Sequence, residues 1–196
     1  MPYTELAKNL MLDALKGTNP TTPITHVGLL QADAAKTGVT SSGSTFTTTA
    51  AHGWSIGDLV IPSALTGGTG IVSGDPYFVL TVPTSTTFTI GTKPSGATLT
   101  PSTALTAGTF TRYVEISGGS PAYARKAIAY AAAALGVADD STNGAVVDVP
   151  ASTVNAVGEW SASTAGTLLT FATVTAEVFA SQGTYTVTDS KNDLNK

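Results

Sequence analysis

Thr153-Val-Asn-Ala-Val-Gly-Glu-Trp-Ser-Ala-Ser-Thr-Ala-Gly-Thr-Leu-Leu-Thr-Phe-Ala-Thr-Val-Thr-Ala-Glu-Val-Phe-Ala-Ser-Gln-Gly-Thr-Tyr-Thr-Val-Thr188 decides the fold. Three β-rich runs, 154–160, 167–174 and 183–188, are separated by small turn residues. Val, Thr, Phe, Tyr and Trp favour a pleated, half-buried surface. Residues 184–188 alternate strictly, with Tyr185 and Val187 on one face and three Thr on the other, which predicts a strand with one wet side. The run has an upstream echo. Ile24-Thr-His-Val-Gly-Leu-Leu-Gln-Ala-Asp33 matches Val154-Asn-Ala-Val-Gly-Glu-Trp-Ser-Ala-Ser163 in its β-branched start, its Val-Gly centre and its late Ala. Two similar strands, one early and one late, suggest two sheets or two halves of one β core.

Working outward, 196 residues suit one domain or two small ones. Charged residues make up 11% and hydrophobic ones 42%. A Thr-rich chain with so few charges is solvated by hydroxyls, and extra surface is expected to be covered in an assembly. The net charge of -4 and the lack of any Lys/Arg run argue against nucleic acid as a partner. Cysteine is absent, which excludes disulfides and thiolate metal sites. No signal peptide or bilayer-length apolar run is evident, so membrane insertion is not expected and synthesis in a cytoplasm is.

Residues 2–16 carry Tyr3, Leu6, Ala7, Leu10, Met11, Ala14 and Leu15 at helical spacing, with Gly17 as a stop. An amphipathic N-terminal helix is expected, capping its own domain or clamping a neighbour. Residues 24–31 read as the first strand, and 34–43 as a linker. A second unit follows over 44–107, with a turn at His52-Gly-Trp-Ser-Ile-Gly-Asp58, a strand at 59–61 and a hairpin around residues 83–85. Residues 112–116 are the next strand. In 123–134 helix propensity conflicts with the strand reading; 123–130 is taken as strand, and 131–135 stays open between strand and helix. Residues 144–149 form a strand ending at Pro150.

No catalytic, cofactor-binding or metal site follows from the residues. His26 and His52 are the only histidines and lack a visible cluster of co-ligands. Gly67-Gly-Thr-Gly70 lacks the Gly-Lys-Ser/Thr and helix of a phosphate loop. His52, Asp58 and abundant Ser do not make a triad without a nucleophile elbow. Asp139, Asp140 and Asn143 read as a polar turn before a cation site. Trp54, Tyr77 and Phe88 could stack on sugars, but a module with few other large apolar residues needs them as core. A glycan hydrolase needs two carboxylates facing each other across a cleft, and the acids here are scattered.

Val157-Gly158-Glu159-Trp160, Ala165-Gly166-Thr167-Leu168-Leu169 and Phe179-Ala-Ser-Gln182-Gly183-Thr184-Tyr185-Thr-Val187-Thr188 carry a resemblance. So does Glu115-Ile-Ser-Gly118-Gly119-Ser-Pro-Ala-Tyr123-Ala-Arg125. Together they resemble a family of small β-sandwich proteins of tailed bacteriophages, described as head-fibre, tail-fibre or minor tail proteins. The resemblance spans residues 24–36 and 112–188; Asn155-Ala156 stands where the family often has a His. Separately, His52, Gly53, Gly57, Asp58, Tyr77, Val79, Thr87 and Phe88 are similar to a small β module of phage and bacterial surface proteins.

The resemblance implies a mainly β chain: an antiparallel, jelly-roll-like β-sandwich over 1–43 and 108–196, with an N-terminal helix and an inserted β module at 44–107. It implies a non-enzymatic virion protein, assembled in the host cytoplasm. That would be a capsid decoration or head-fibre subunit acting through subunit contacts, or alternatively a tail-fibre or minor tail protein contacting the host surface. Its partners would be phage capsid or tail proteins and copies of itself, a trimer by analogy with virion β-sandwich proteins.

Overall fold

The structure is a computed structural model and describes residues 23–130, 137–139, 144–188 and 191–193. The expected helix at 2–16 and the open stretch 131–135 lie outside the described residues, as do Asp140 and Asn143. Every regular element described is a strand. In chain order these are β1 (His26–Ala32), β2 (Thr40–Ser42), β3 (Thr45–Thr47), β4 (Leu59–Gly67), β5 (Tyr77–Thr84), β6 (Thr87–Gly91) and β7 (Leu105–Glu115). They continue as β8 (Lys126–Ala127), β9 (Val137–Asp139), β10 (Ala145–Val149), β11 (Ser152–Trp160), β12 (Leu168–Phe179), β13 (Gly183–Val187) and β14 (Lys191–Asp193). The chain is mainly β with antiparallel pairing, and it divides into two compact units. One comprises residues 1–31 and 115–196, the other residues 32–114.

In the first unit β11 lies between β1 and β12, and β8 pairs with β1 near His26. The upstream echo has a structural meaning. The two Val-Gly centres face each other across the β1–β11 ladder, with Gly28 opposite Gly158. Two further two-stranded ladders stand apart from these strands, β10 with β13 and β9 with β14. β10 alternates as its sequence dictates: Ala145, Val147 and Val149 are buried while Val146 is exposed. Across from them Val187 is buried and Thr184 and Thr186 face out, as the strict alternation predicts. Residues of the β1–β11 ladder and of the β10–β13 ladder meet in one apolar cluster. It includes Val27 and Leu29 of β1, Val147 and Val149 of β10, Val154 and Val157 of β11 and Val187 of β13.

The second unit is a sheet in the order β7-β4-β5-β6-β3-β2. Its core is aromatic. Phe46 and Phe88 stack at 5.5 Å, and Trp54 and Phe110 meet Phe88 edge-on at 4.9 and 5.8 Å. Such pairs contribute roughly 0.5–1.5 kcal/mol each beyond area burial.

Three expectations need correction. The stretch 34–43 is not a linker. Lys36 and Phe110 exchange backbone hydrogen bonds at 2.8 and 2.9 Å, the Val39 N–H donates to the Gly108 carbonyl, and Val39 is fully buried. Its Gly/Ser/Thr composition suits a linker, but one buried valine and a satisfied backbone make it part of the sheet. The second unit accordingly runs over 32–114 rather than 44–107. The strand expected over 123–130 reduces to β8 and a single bridge at Tyr130; the Tyr123 N–H is taken by the Gly118 carbonyl at 2.7 Å, in the turn before it.

Candidate functional site

The polar residues of the first unit converge where β1 and β11 cross their glycines. A Cβ on Gly28 would stand 2.4 Å from Tyr123 Oη and 2.9 Å from Trp160 Cζ3. One on Gly158 would stand 2.7 Å from Trp160 Cη2. The paired glycines therefore form the floor on which the Trp160 indole lies. Above the indole sits the Arg125 guanidinium, its Cζ 4.3 Å from the ring centroid. Arg125 holds Glu115 by two parallel bonds of 2.7 Å, Nε to Oε1 and Nη2 to Oε2, and also donates to the Ala162 carbonyl at 2.9 Å. The Tyr123 hydroxyl donates to Glu115 Oε1 at 3.1 Å and accepts the Leu29 N–H at 2.9 Å. Burial first, and then the adjacent Glu115 charge, push the Tyr123 phenol well above its ordinary range. It stays protonated and can donate.

Nearby on β11, the Glu159 side chain is wholly buried. Its Oε2 accepts from the Thr170 hydroxyl at 2.5 Å, and its Oε1 accepts from the Tyr130 hydroxyl. Sequence reasoning missed this carboxylate. The available signal was its place inside an otherwise apolar Val-Gly-Glu-Trp strand.

In the second unit Arg112 draws two carboxylates together. Its Nε donates to Asp33 Oδ2 at 2.7 Å and its Nη1 to Asp58 Oδ2 at 2.9 Å; Nη2 also reaches Asp33. Burial works against the Arg112 charge, but the bonds to Asp58 and Asp33 outweigh it and raise the pKa further. Asp58 also accepts the Ser55 N–H at 2.7 Å, which closes the turn over residues 52–58. His52 is buried between Trp54 and Phe88, and its Nδ1 accepts the Trp54 N–H at 2.9 Å. Its buried Nε2 has no hydrogen-bond partner among the described residues. His26 is half-buried against the Thr25 hydroxyl at 2.8 Å. The two histidines are not brought together, and among the described residues no three His, Asp or Glu side chains gather as metal ligands would.

Trp54, Tyr77 and Phe88 point inward, at 5%, 3% and 0% exposure, and serve as core. Gly67, the last residue of β4, and Gly68 and Gly70 just after it take positive φ. The outward face of the same sheet holds something the sequence reading did not find. Thr40 pairs with Thr47, Thr47 with Thr87, and Thr87 with Thr84, one row across β2, β3, β6 and β5. Two residues along, Ser42 pairs with Thr45 and Thr89 with Thr81, giving a second row on that face. Compared with family models, with curated proteins and with solved structures, the chain shows no match.

Proposed function

We propose that the chain is a structural protein of a tailed-bacteriophage virion, a capsid decoration or head-fibre subunit that works through contacts between subunits. In this reading the β12-β11-β1 strands and the β10–β13 ladder are the layers of a jelly-roll-like β-sandwich and carry the assembly contacts. One observation carries the proposal. Glu115, Tyr123 and Arg125 belong to one phage-like motif and Gly158 and Trp160 to another, roughly forty residues later in the chain. They interlock in a single cluster. The resemblance therefore concerns one built element rather than scattered matches. The chemistry-bearing side chains of that element are spent on one another, which suits a scaffold better than a catalyst. The alternative, a tail-fibre protein facing the host, draws on the outward hydroxyl rows of the second unit.

Particles banded from lysates of cells that carry this gene in its phage test the proposal. Quantitative mass spectrometry should find the chain in a fixed ratio to the major capsid protein. Its absence from particles, with the chain present in the lysate, would overturn the proposal. A ratio matching the few copies of the tail tip would select the alternative. Light scattering of the isolated chain should show a homo-oligomer; a stable monomer at micromolar concentration counts against self-association before assembly.

A further inference from the structure

Across two rows the outward face of β2, β3, β6 and β5 is built of hydroxyls; beside them on β5 the half-buried Leu80 lies over Gly91. Thr40, Ser42, Thr47, Thr81 and Thr84 are exposed, Thr45 and Thr87 half-exposed, and Thr89 lies buried among them. The inner face of the same strands carries Phe46, Val79, Phe88 and Ile90. Four strands at sheet spacing span roughly 14 Å, with the two rows roughly 7 Å apart.

Two features show that this face is specified rather than incidental. First, β5 contains two register shifts, one between Val79 and Thr81 and one between Thr81 and Thr84. Simple alternation would put Thr81 and Thr84 on opposite faces. The second bulge brings both to the outer face while Val82 still packs on the core. Second, the hydroxyls are held: Thr81 Oγ1 lies 2.8 Å from Thr89 Oγ1, and Thr84 Oγ1 2.7 Å from Thr87 Oγ1. β-Branched side chains are already stiff at χ1, so little entropy remains to be lost on binding.

The chemistry of the face selects its partner. β2, β3, β5 and β6 contain no Asp, Glu, Lys, Arg or His. Nucleic acid or an acidic polymer would find no cation. A lipid surface would find no fully exposed apolar wedge, since Leu80 is half-buried over Gly91. A protein partner would find none of the Trp, Tyr, Met or Arg anchors on which interfaces depend. What matches an uncharged lattice of alternating hydroxyl and methyl groups is a neutral polyol, whose hydroxyls exchange hydrogen bonds with threonine Oγ1 and whose C–H faces lie on the methyls. We propose that this face is a docking surface for a neutral polysaccharide. The proposal stands on the geometry of the second unit and does not depend on the virion reading.

The test is affinity electrophoresis of the full chain in gels cast with starch, dextran, β-1,3-glucan, galactomannan or hydroxyethyl cellulose, with alginate as the anionic comparison. Retardation is expected in at least one neutral gel and not in alginate. The triple variant Thr47→Val, Thr84→Val, Thr87→Val keeps shape and strand preference but removes one row of hydroxyls, so binding should fall at least tenfold while the thermal midpoint holds. Thr47→Arg alone, which places a charged side chain on the face, should also weaken binding and guards against a folding defect in the triple variant. Thr173→Val, on the other unit, should bind as the parent does. No retardation in any neutral gel, equal binding by the row variants, or preference for alginate would each overturn the proposal. So would loss of self-association in the row variants without any polysaccharide binding, which would make the face a contact between copies of this chain.

Discussion

Tyr123 connects three parts of the first unit with one hydroxyl: it accepts from β1 at Leu29 and donates to Glu115, while its ring packs against the apolar cluster. Tyr123→Phe leaves the Leu29 N–H and part of the Glu115 carboxylate unsatisfied, and is expected to cost about 1–3 kcal/mol at neutral pH, read by denaturant unfolding. The pH dependence has a definite sign. A tyrosine whose folded pKa is raised contributes stability that is complete below the unfolded value of about 10, and loses it as pH climbs through the folded value. The midpoint should therefore fall above pH 10, and fall less steeply in Tyr123→Phe. The flattening is partial, because burial raises Tyr113 and Tyr185 as well. An unchanged alkaline slope in the variant would refute the assignment. The same cluster makes Gly28 and Gly158 intolerant of any side chain. Gly158→Ala, with Leu168 and Trp160 carbons both 2.7 Å from the new methyl, should destabilise by roughly 1–3 kcal/mol through overpacking, seen as a lower thermal midpoint.

At the scale of the element, β5 shows how register carries meaning. Leu80 is the extra residue of its first bulge. Deleting it would leave Val79 opposite Ile90 and Thr81 opposite Thr89 by plain alternation, with Thr81 still outward and Val82 still on the core. The loss is then the half-buried leucine side chain alone, at most about 1.5–3 kcal/mol. The deletion should lower the denaturation midpoint modestly and leave amide exchange in β6 slow. Fast exchange throughout β5 and β6 would show that the bulge is needed to hold the ladder together. This strand also marks how far the sequence could be read. Strict alternation in β10 and β13 is written in adjacent residues, and those strands form as expected. Bulges are set by the partner strand, so the hydroxyl rows could not be seen in β5 alone. β12 runs on to Phe179 past Ala176 and Glu177, poor strand formers held by pairing with β11 through Val154 and Thr153. The Arg125–Glu115 pair was likewise hidden. Both residues stand in one motif, but the irregular loop between them, not any period, brings them together.

For the whole molecule, the consequential feature is where the second unit enters and leaves the first. The aromatic cluster of the second unit draws only on residues 32–114, and the valine-rich cluster of the first draws on none of these. Each unit thus has a core of its own, the condition for folding alone. The ends of the first unit are also close. The Ile116 N–H donates to the Leu29 carbonyl at 3.0 Å, so Gln31 and Glu115 lie on neighbouring strands. Replacing residues 32–114 by Asn-Gly should close a two-residue hairpin, the connection antiparallel neighbours favour. The shortened chain is expected to unfold cooperatively and to keep near-ultraviolet signal from Trp160 packed under Arg125. The boundary matters: removing only residues 44–107 would strand Val39, whose burial depends on the second unit, on an exposed segment. That version should be the less soluble of the two. If the 32–114 deletion instead yields a chain without fixed tertiary signal, the units fold as one, and the insertion account of this chain is wrong.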